Sequence, residues 1–224
     1  MSYDDAIEAL SNDALKLVKD NFVIGLGSGR AATVLVNSLS KLIKIKNYNI
    51  KGVPTSLQIK QIAEKRGIEL VEADQIDHID IVFDGADQID KEKYVIKGGG
   101  GALLRENILF SLAKKVVVMA DKTKFVKNFT RSVPVEVHPL ARNSVSNVIS
   151  KLGGNPNLRL LDRGYPFFTE NGNIILDCDF GIIKNPKTLS QKIKQIPGVM
   201  ESGIFQRKPD IIYKAKTGGK FEIV

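Results

Sequence analysis

The chain has no tryptophan, one cysteine and two histidines among its 224 residues. A lone Cys178 has nothing to pair with inside the chain, which excludes an internal disulfide framework and fits a reducing compartment. His78 and His138 stand far apart, without the short spacings of a zinc or metalloprotease signature. No run approaches the roughly eighteen apolar residues of a membrane-spanning helix. The N-terminal MSYDDAIEAL is acidic and helix-like, unlike a secretory signal. Internal repeats and low-complexity linkers are missing too. These absences predict a cytoplasmic protein with no membrane partner.

Hydrophobic residues make up 43% and charged residues 26%, the balance of an ordinary globular protein with a full core. Lys and Arg outnumber Asp and Glu by 33 to 25, a formal charge of +8. That excess fits either a nucleic-acid partner or a lysine-rich surface with a cationic pocket for phosphate. The basic residues are scattered and not interleaved with aromatics, so no nucleic-acid partner is expected.

Apolar periodicity gives alternating elements over the first 129 residues. Residues 3–19 read as an amphipathic helix burying Ile7, Leu10, Ala14, Leu17 and Val18. Strands are expected at 22–26, 49–53, 69–71, 79–83 and 116–120, with helices at 30–44, 56–66 and 102–113. Ser56 stands where it can cap the third helix. Strands alternating with helices imply an α/β fold with a doubly wound, mostly parallel sheet. After residue 130 the order becomes β-α-β-β-α, a smaller α+β domain of ferredoxin-like type inserted near the C-terminus. Its strands are expected at 133–137, 158–160 and 173–177, its helices at 144–152 and 189–196. The tail, 203–205 and 211–213, is expected to return to the main sheet. The domains expected are 1–129 plus 204–224, a Rossmann-like catalytic domain, and 130–203, a small α+β domain.

Three clusters carry chemistry. Residues 25–33, GLGSGRAAT, join a strand to a helix through glycines, but the G-x-G-x-G spacing lacks the third glycine of the dinucleotide fingerprint. No lysine stands in the P-loop position. What remains is a loop with Ser28, Gly29, Arg30 and Ala31, able to hold one phosphate at a helix N-terminus, or else a glycine turn kept for steric reasons. The second cluster, Asp84-Gly85-Ala86-Asp87, follows the apolar run 79–83 and lies where open α/β sheets place ligands. It reads as a ligand site or as an Asp-rich turn. A divalent cation is disfavoured because neither histidine is placed to help and Lys97 competes; Asp90 reads as structural.

The third cluster is the most specific. Lys97 precedes Gly98-Gly99-Gly100-Gly101, an entropically costly run that makes sense where backbone amides crowd a ligand. Glu106 follows about one turn into the next helix, as a base or as a first-turn carboxylate favoured by the helix dipole. Carboxylates, an ammonium and glycine amides together make the inventory of a proton-transfer site for a small polar anion.

These stretches resemble the A-type ribose-5-phosphate isomerase family. The matching segments are GLGSG (25–29), VPTS (53–56), DGAD (84–87), KGGGGALLRE (97–106), ADKTKFV (120–126), PVEVHP (134–139), NGNIILD (171–177) and IPGV (196–199), collinear over nearly the whole chain. The resemblance implies interconversion of D-ribose 5-phosphate and D-ribulose 5-phosphate in the non-oxidative pentose phosphate pathway, without metal or organic cofactor. It implies Glu106 as proton acceptor, and Asp84, Asp87 and Lys97 as residues that bind the sugar and assist ring opening and charge stabilisation. Lys124 matches a substrate-binding lysine. A homodimer or homotetramer is expected.

Two positions depart from the family pattern. Ser28-Gly29-Arg30-Ala31 stands where Thr-Gly-Ser-Thr is common, so two hydroxyls are lost and a guanidinium, Arg30, is gained as a candidate phosphate ligand. Ile7 stands where some relatives carry a lysine. The rival reading is a sugar-phosphate sensor or regulatory module on the same fold, which would not require Glu106 and Lys97.

Overall fold

The computed structural model of the protein describes residues 3–224, and these divide into two compact units. The larger comprises the chain up to Ala86, Arg105–Lys124 and Pro209–Val224; the smaller comprises Asp87–Leu104 and Phe125–Lys208. Among the described residues no helix is long and apolar enough to cross a membrane.

The larger unit is built on a seven-stranded sheet. Its order is Phe221–Ile223, Ile211–Ala215, Ala113–Asp121, Ile79–Asp84, Val23–Leu26, Lys51–Pro54, Glu69–Leu70. Every neighbouring pair is parallel except the first, which is antiparallel. The chain leaves Val23–Leu26 through the helix Gly29–Lys46 and steps outward through Lys51–Pro54 to Glu69–Leu70. It then returns to Ile79–Asp84 on the other side of Val23–Leu26 and continues outward the opposite way. The reversal falls between these two central strands, and the carboxyl ends flanking such a switch point are where doubly wound sheets bind ligands.

One sheet face packs Ile24, Leu26, Ile81, Phe83, Val117, Met119 and Tyr213 under the helices Tyr3–Ala14, Gly29–Lys46 and Leu57–Lys65. The helix Leu103–Leu112 covers the other face, where a methyl at Gly25 would lie 3.4 Å from Leu109. Successive residues of the central strands point to opposite faces and most are buried, so each face contributes its own set to a core. Ser56 caps its helix, its hydroxyl accepting from the Ile59 amide at 3.3 Å. Asp80 ties three strands together. It accepts from the Val23 amide at 2.9 Å and pairs with Lys114 at 2.9 Å.

In the smaller unit the order Val133–Val137, Arg142–Lys151, Asn155–Leu158, Ile174–Asp179, Pro186–Lys194, Val199–Ser202 is β-α-β-β-α-β. The antiparallel sheet places the fourth strand beside the first, then the third, then the second, which is the ferredoxin-like arrangement. Val133, Val135 and Val137 point into a core with Val145, Ile149 and Ile193, while Pro134 and Glu136 alternate onto the opposite face. The second strand lies two to three residues earlier than periodicity predicts, although Arg159 still donates its amide to Ile175 at 2.8 Å.

The first helix, expected over 3–19, ends at Ala14 and passes into the 3-10 turn Leu15–Leu17, and one strand joins a different sheet from the one expected. Ile204–Phe205 does not enter the main sheet; it pairs antiparallel with Val95–Ile96, which also pairs with Gln88–Ile89. Gly203 is clamped beside it, donating to the Pro134 carbonyl at 2.7 Å and accepting from the Lys97 amide at 2.9 Å. This small sheet draws residues 87–104 into the smaller unit, whereas a reading by linear order keeps them with the large domain.

Candidate active site

At the switch point the strand Val23–Leu26 delivers Gly27 and Ser28, and the strand Ile79–Asp84 ends on Asp84. Asp84 is fully buried. Its Oδ1 accepts from the Gly85 amide at 2.7 Å and from the Ser28 amide at 3.3 Å. Glu106, 3% exposed in the first turn of the helix Leu103–Leu112, accepts from the Ser28 hydroxyl at 2.6 Å. One serine therefore holds two buried carboxylates, one by its backbone and one by its side chain. The approach is so close that a methyl at Gly27 would lie 2.2 Å from the Asp84 carboxyl carbon, which explains the glycine there.

The rest of the GLGSGRAAT cluster starts the helix Gly29–Lys46. Gly29 has φ of +84°, and Ser28 occupies the N-cap without capping through its side chain, because its hydroxyl is directed to Glu106. Arg30 is exposed on the first turn, and Ala31 packs its methyl against the core. The first-turn amides of Gly29, Arg30 and Ala31 belong to the set an α-helix leaves unpaired. Lys124 lies at the end of the 3-10 turn Lys122–Lys124, directly after the strand Ala113–Asp121 and half-buried. Thr123 fixes that turn through its amide, which donates to Asp121 at 2.9 Å.

Ala86 is the last residue of the larger unit's first segment, whereas Asp87, Lys97 and the glycine run belong to the smaller unit. Lys97 follows the strand Val95–Ile96 and is 3% exposed, its Nζ 6.0 Å from the centre of the Phe205 ring. Lysines are seldom buried this far. Asp87 accepts from the Gly99 amide at 2.7 Å, so the two motifs DGAD and KGGGG meet at that bond. Gly98 is buried, whereas Gly99 and Gly100 are exposed. Gly101 has φ of +85°, and a methyl there would strike the Phe167 ring at 2.5 Å. Asp90 is a turn former, accepting from the Glu92 and Tyr94 amides at 2.9 Å each, and burial raises its pKa.

The structure thus brings Ser28, Asp84, Gly85 and Glu106 together in one unit, and Asp87 with Lys97 and the glycine run in the other. Gly27 was absent from the residues singled out by motif. Its only sequence signal is the alternation Gly25, Gly27, Gly29, which does not say what approaches it.

The family model described as ribose 5-phosphate isomerase A (phosphoriboisomerase A) matches residues 51–219. The chain belongs to the ribose 5-phosphate isomerase A family. The ribose-5-phosphate isomerase A of Trichodesmium erythraeum is 40% identical over 203 residues, covering 89% of this chain and 86% of the relative. That of Methanococcus aeolicus is 40% identical over 205 residues, covering 90% and 87%. The solved ribose 5-phosphate isomerase A of Methanocaldococcus jannaschii superposes with a TM-score of 0.93 at 36% identity, covering 100% of this chain and 99% of its own. A D-ribose-5-phosphate isomerase in complex with phospho-erythronic acid superposes with a TM-score of 0.95 at 33% identity, with the same coverage. The doubly wound sheet and ferredoxin-like unit are therefore those of ribose 5-phosphate isomerase A, over the whole chain.

Proposed function

We propose that this chain interconverts D-ribose 5-phosphate and D-ribulose 5-phosphate through an enediol(ate), with Glu106 as the base. Family membership carries the reaction. The single observation that supports the base is a buried Glu106 carboxylate oriented by the Ser28 hydroxyl at 2.6 Å.

In the open-chain aldose Glu106 takes the proton from C2. The C2–H electrons form the C1–C2 double bond, and the carbonyl electrons move onto O1. The O2 hydroxyl proton passes to the O1 oxyanion across the cis-enediolate, and the same carboxyl returns its proton to C1 as the C2 oxygen becomes the carbonyl. A positioned carboxylate serves both halves because it alternates between base and acid. The oxyanion that develops on the way needs donors already in place. Lys97 and the amides of Gly98, Gly99 and Gly100 are assigned that duty, on the grounds of a buried ammonium beside an accessible glycine run.

Asp84 is assigned the hydroxyl proton in ring opening, and Asp87, with Gly85 and Ala86, the sugar hydroxyls. The phosphate is assigned to the first-turn amides of Gly29, Arg30 and Ala31, with the Arg30 guanidinium and Lys124. Ser28 joins that loop through its backbone, since its hydroxyl serves Glu106. The reading extends to the non-oxidative pentose phosphate pathway, a cytoplasmic location and a homodimer or homotetramer.

The test is conversion of ribose 5-phosphate by purified protein in EDTA, beside Glu106→Gln. Turnover that survives chelation and falls by at least about a hundredfold in the variant supports a metal-free isomerase with this base. Binding of the sugar phosphate without turnover by the wild type would instead make the chain a sensor. Equal turnover by both proteins would move the base to Asp84.

A further inference from the structure

The glycine run is gripped by a residue that no motif points to. Arg159 Nη1 donates to the Gly98 carbonyl at 2.8 Å and to the Gly99 carbonyl at 3.2 Å. On the other side, Asp87 accepts the Gly99 amide at 2.7 Å. The Gly98 carbonyl and the Gly99 amide belong to one planar trans peptide. That plane therefore has a cation at its oxygen end and a carboxylate at its N–H end. The next plane is set as well. With the Gly99 carbonyl turned to Arg159, the Gly100 amide must face the opposite way. Gly100 is exposed, nothing lies within 4 Å of where its Cβ would be, and among the described residues its amide meets no acceptor.

Arg159 is itself immobilised. Its Nε and Nη2 form a fork with Asp177 at 2.8 and 2.5 Å, a bidentate geometry that only a guanidinium supplies. The guanidinium carbon lies 5.8 Å from the centre of the Phe167 ring, the same ring that fills the space beside Gly101. The backbone is tied at both groups, the Arg159 amide to Ile175 at 2.8 Å and its carbonyl to Phe167 at 3.0 Å. Its side chain is only 15% exposed. A tetraglycine segment left alone samples many conformations, and fixing it costs more chain entropy than fixing any other residue type. Here one side chain, held by a sheet residue, fixes two successive peptide planes.

We propose that Arg159, locked by Asp177, is a positioning residue for the isomerase reaction. It sets the glycine loop so that the Gly100 amide is presented as a preformed donor to substrate oxygen. This inference rests on the isomerase reading above. It goes further in naming a residue pair that acts through the loop rather than on the sugar.

The decisive variant is Arg159→Lys, which keeps the charge opposite Asp177 but cannot also reach two carbonyls. The expected result is a melting temperature close to wild type and a kcat lower by roughly tenfold or more, since small misplacement of an oriented group costs on that order. KM for ribose 5-phosphate should stay within about threefold, because the interaction lost is made in the transition state. Arg159→Ala should regain part of its kcat with tens of millimolar guanidinium and none with methylammonium. A kcat of Arg159→Lys within about twofold of wild type would overturn the proposal. So would a loss confined to KM, which would make Arg159 a substrate ligand, or failure of both variants to fold, which would make it structural. A wild type without turnover withdraws the isomerase reading itself, and is distinguished from these outcomes by needing no variant.

Discussion

The Ser28 hydroxyl lies 2.6 Å from Glu106 Oε1 and donates to it. The residue that sequence assigns to phosphate thus orients the proposed base, and its amide, donating to Asp84 at 3.3 Å, ties the second carboxylate to the same point. Loss of two hydroxyls from the proposed phosphate loop is then less consequential than it looks in the sequence. The one hydroxyl that remains is the one engaged with Glu106, and the first-turn amides are present whatever the side chains are.

Removal of that hydroxyl should be felt in catalysis more than in binding. For Ser28→Ala we expect kcat to fall by about tenfold or more, the equivalent of one hydrogen bond to a charged group at about 1.5–3 kcal/mol. KM should move little. Steady-state kinetics on ribose 5-phosphate decides this; a rise in KM with unchanged kcat would return the hydroxyl to the phosphate.

Gly27 separates a steric requirement from a conformational one. Gly27→Ala places a methyl 2.2 Å from the Asp84 carboxyl carbon, between two central strands that cannot part. The expected loss in urea denaturation is about 1–3 kcal/mol or more, the usual cost of overpacking. Gly100→Ala, with open space at its Cβ, should change stability by well under half of that. Equal stabilities of the two variants would refute the close-approach account.

Acid should weaken the contact between the first helix and the sheet. The Lys16 ammonium, bonded to Asp13 Oδ1 at 2.6 Å, lowers the Asp13 pKa; burial opposes it, and the Tyr213 hydroxyl on Oδ2 at 3.0 Å helps lower it further. A carboxylate whose folded pKa is depressed stabilises above its unfolded value near about 3.9, and that contribution is lost as pH falls through the folded value. Wild type should therefore exceed Asp13→Asn at pH 7, by about 1 kcal/mol. Denaturation curves between pH 7 and about 2.5 should show the gap closing below about pH 4. A gap independent of pH would mean that packing alone accounts for it.

The single thiol should be inert in the native protein. Cys178 is fully buried, and burial, with the Asp177 charge adding to it, pushes its pKa up to about 12. Thiolate is the reactive form, so iodoacetamide near pH 8 should leave native protein unlabelled and modify it fully in denaturant. Rapid labelling without denaturant would show that the strand Ile174–Asp179 opens readily.

Much of the fold was legible because apolar periodicity is a local property. The apolar run 79–83, the alternation over 133–137 and the Ser56 cap each report short-range geometry and formed where expected, while the first helix stops at Ala14 and passes into the 3-10 turn Leu15–Leu17 short of the expected residue 19. Pairing is not local. Ile204–Phe205 is as apolar as any main-sheet strand, and only its partner Val95–Ile96 shows where it goes. The same limit governed the site. Asp84, Lys97, the glycine run and Glu106 announce themselves by residue type and spacing over two dozen positions. The Ser28–Glu106 bond spans 78 residues and Arg159–Gly98 spans 61, with nothing in either neighbourhood to signal the other.

By itself the sequence determined the elements, the α/β class, the family and the chemical inventory, because backbone propensity, burial pattern and side-chain chemistry are written residue by residue. Tertiary structure alone decided which serine oxygen meets which carboxylate and which arginine grips the glycine carbonyls. Those contacts exist only once the strand order has brought distant segments within hydrogen-bonding range, where a difference of one ångström separates a bond from none.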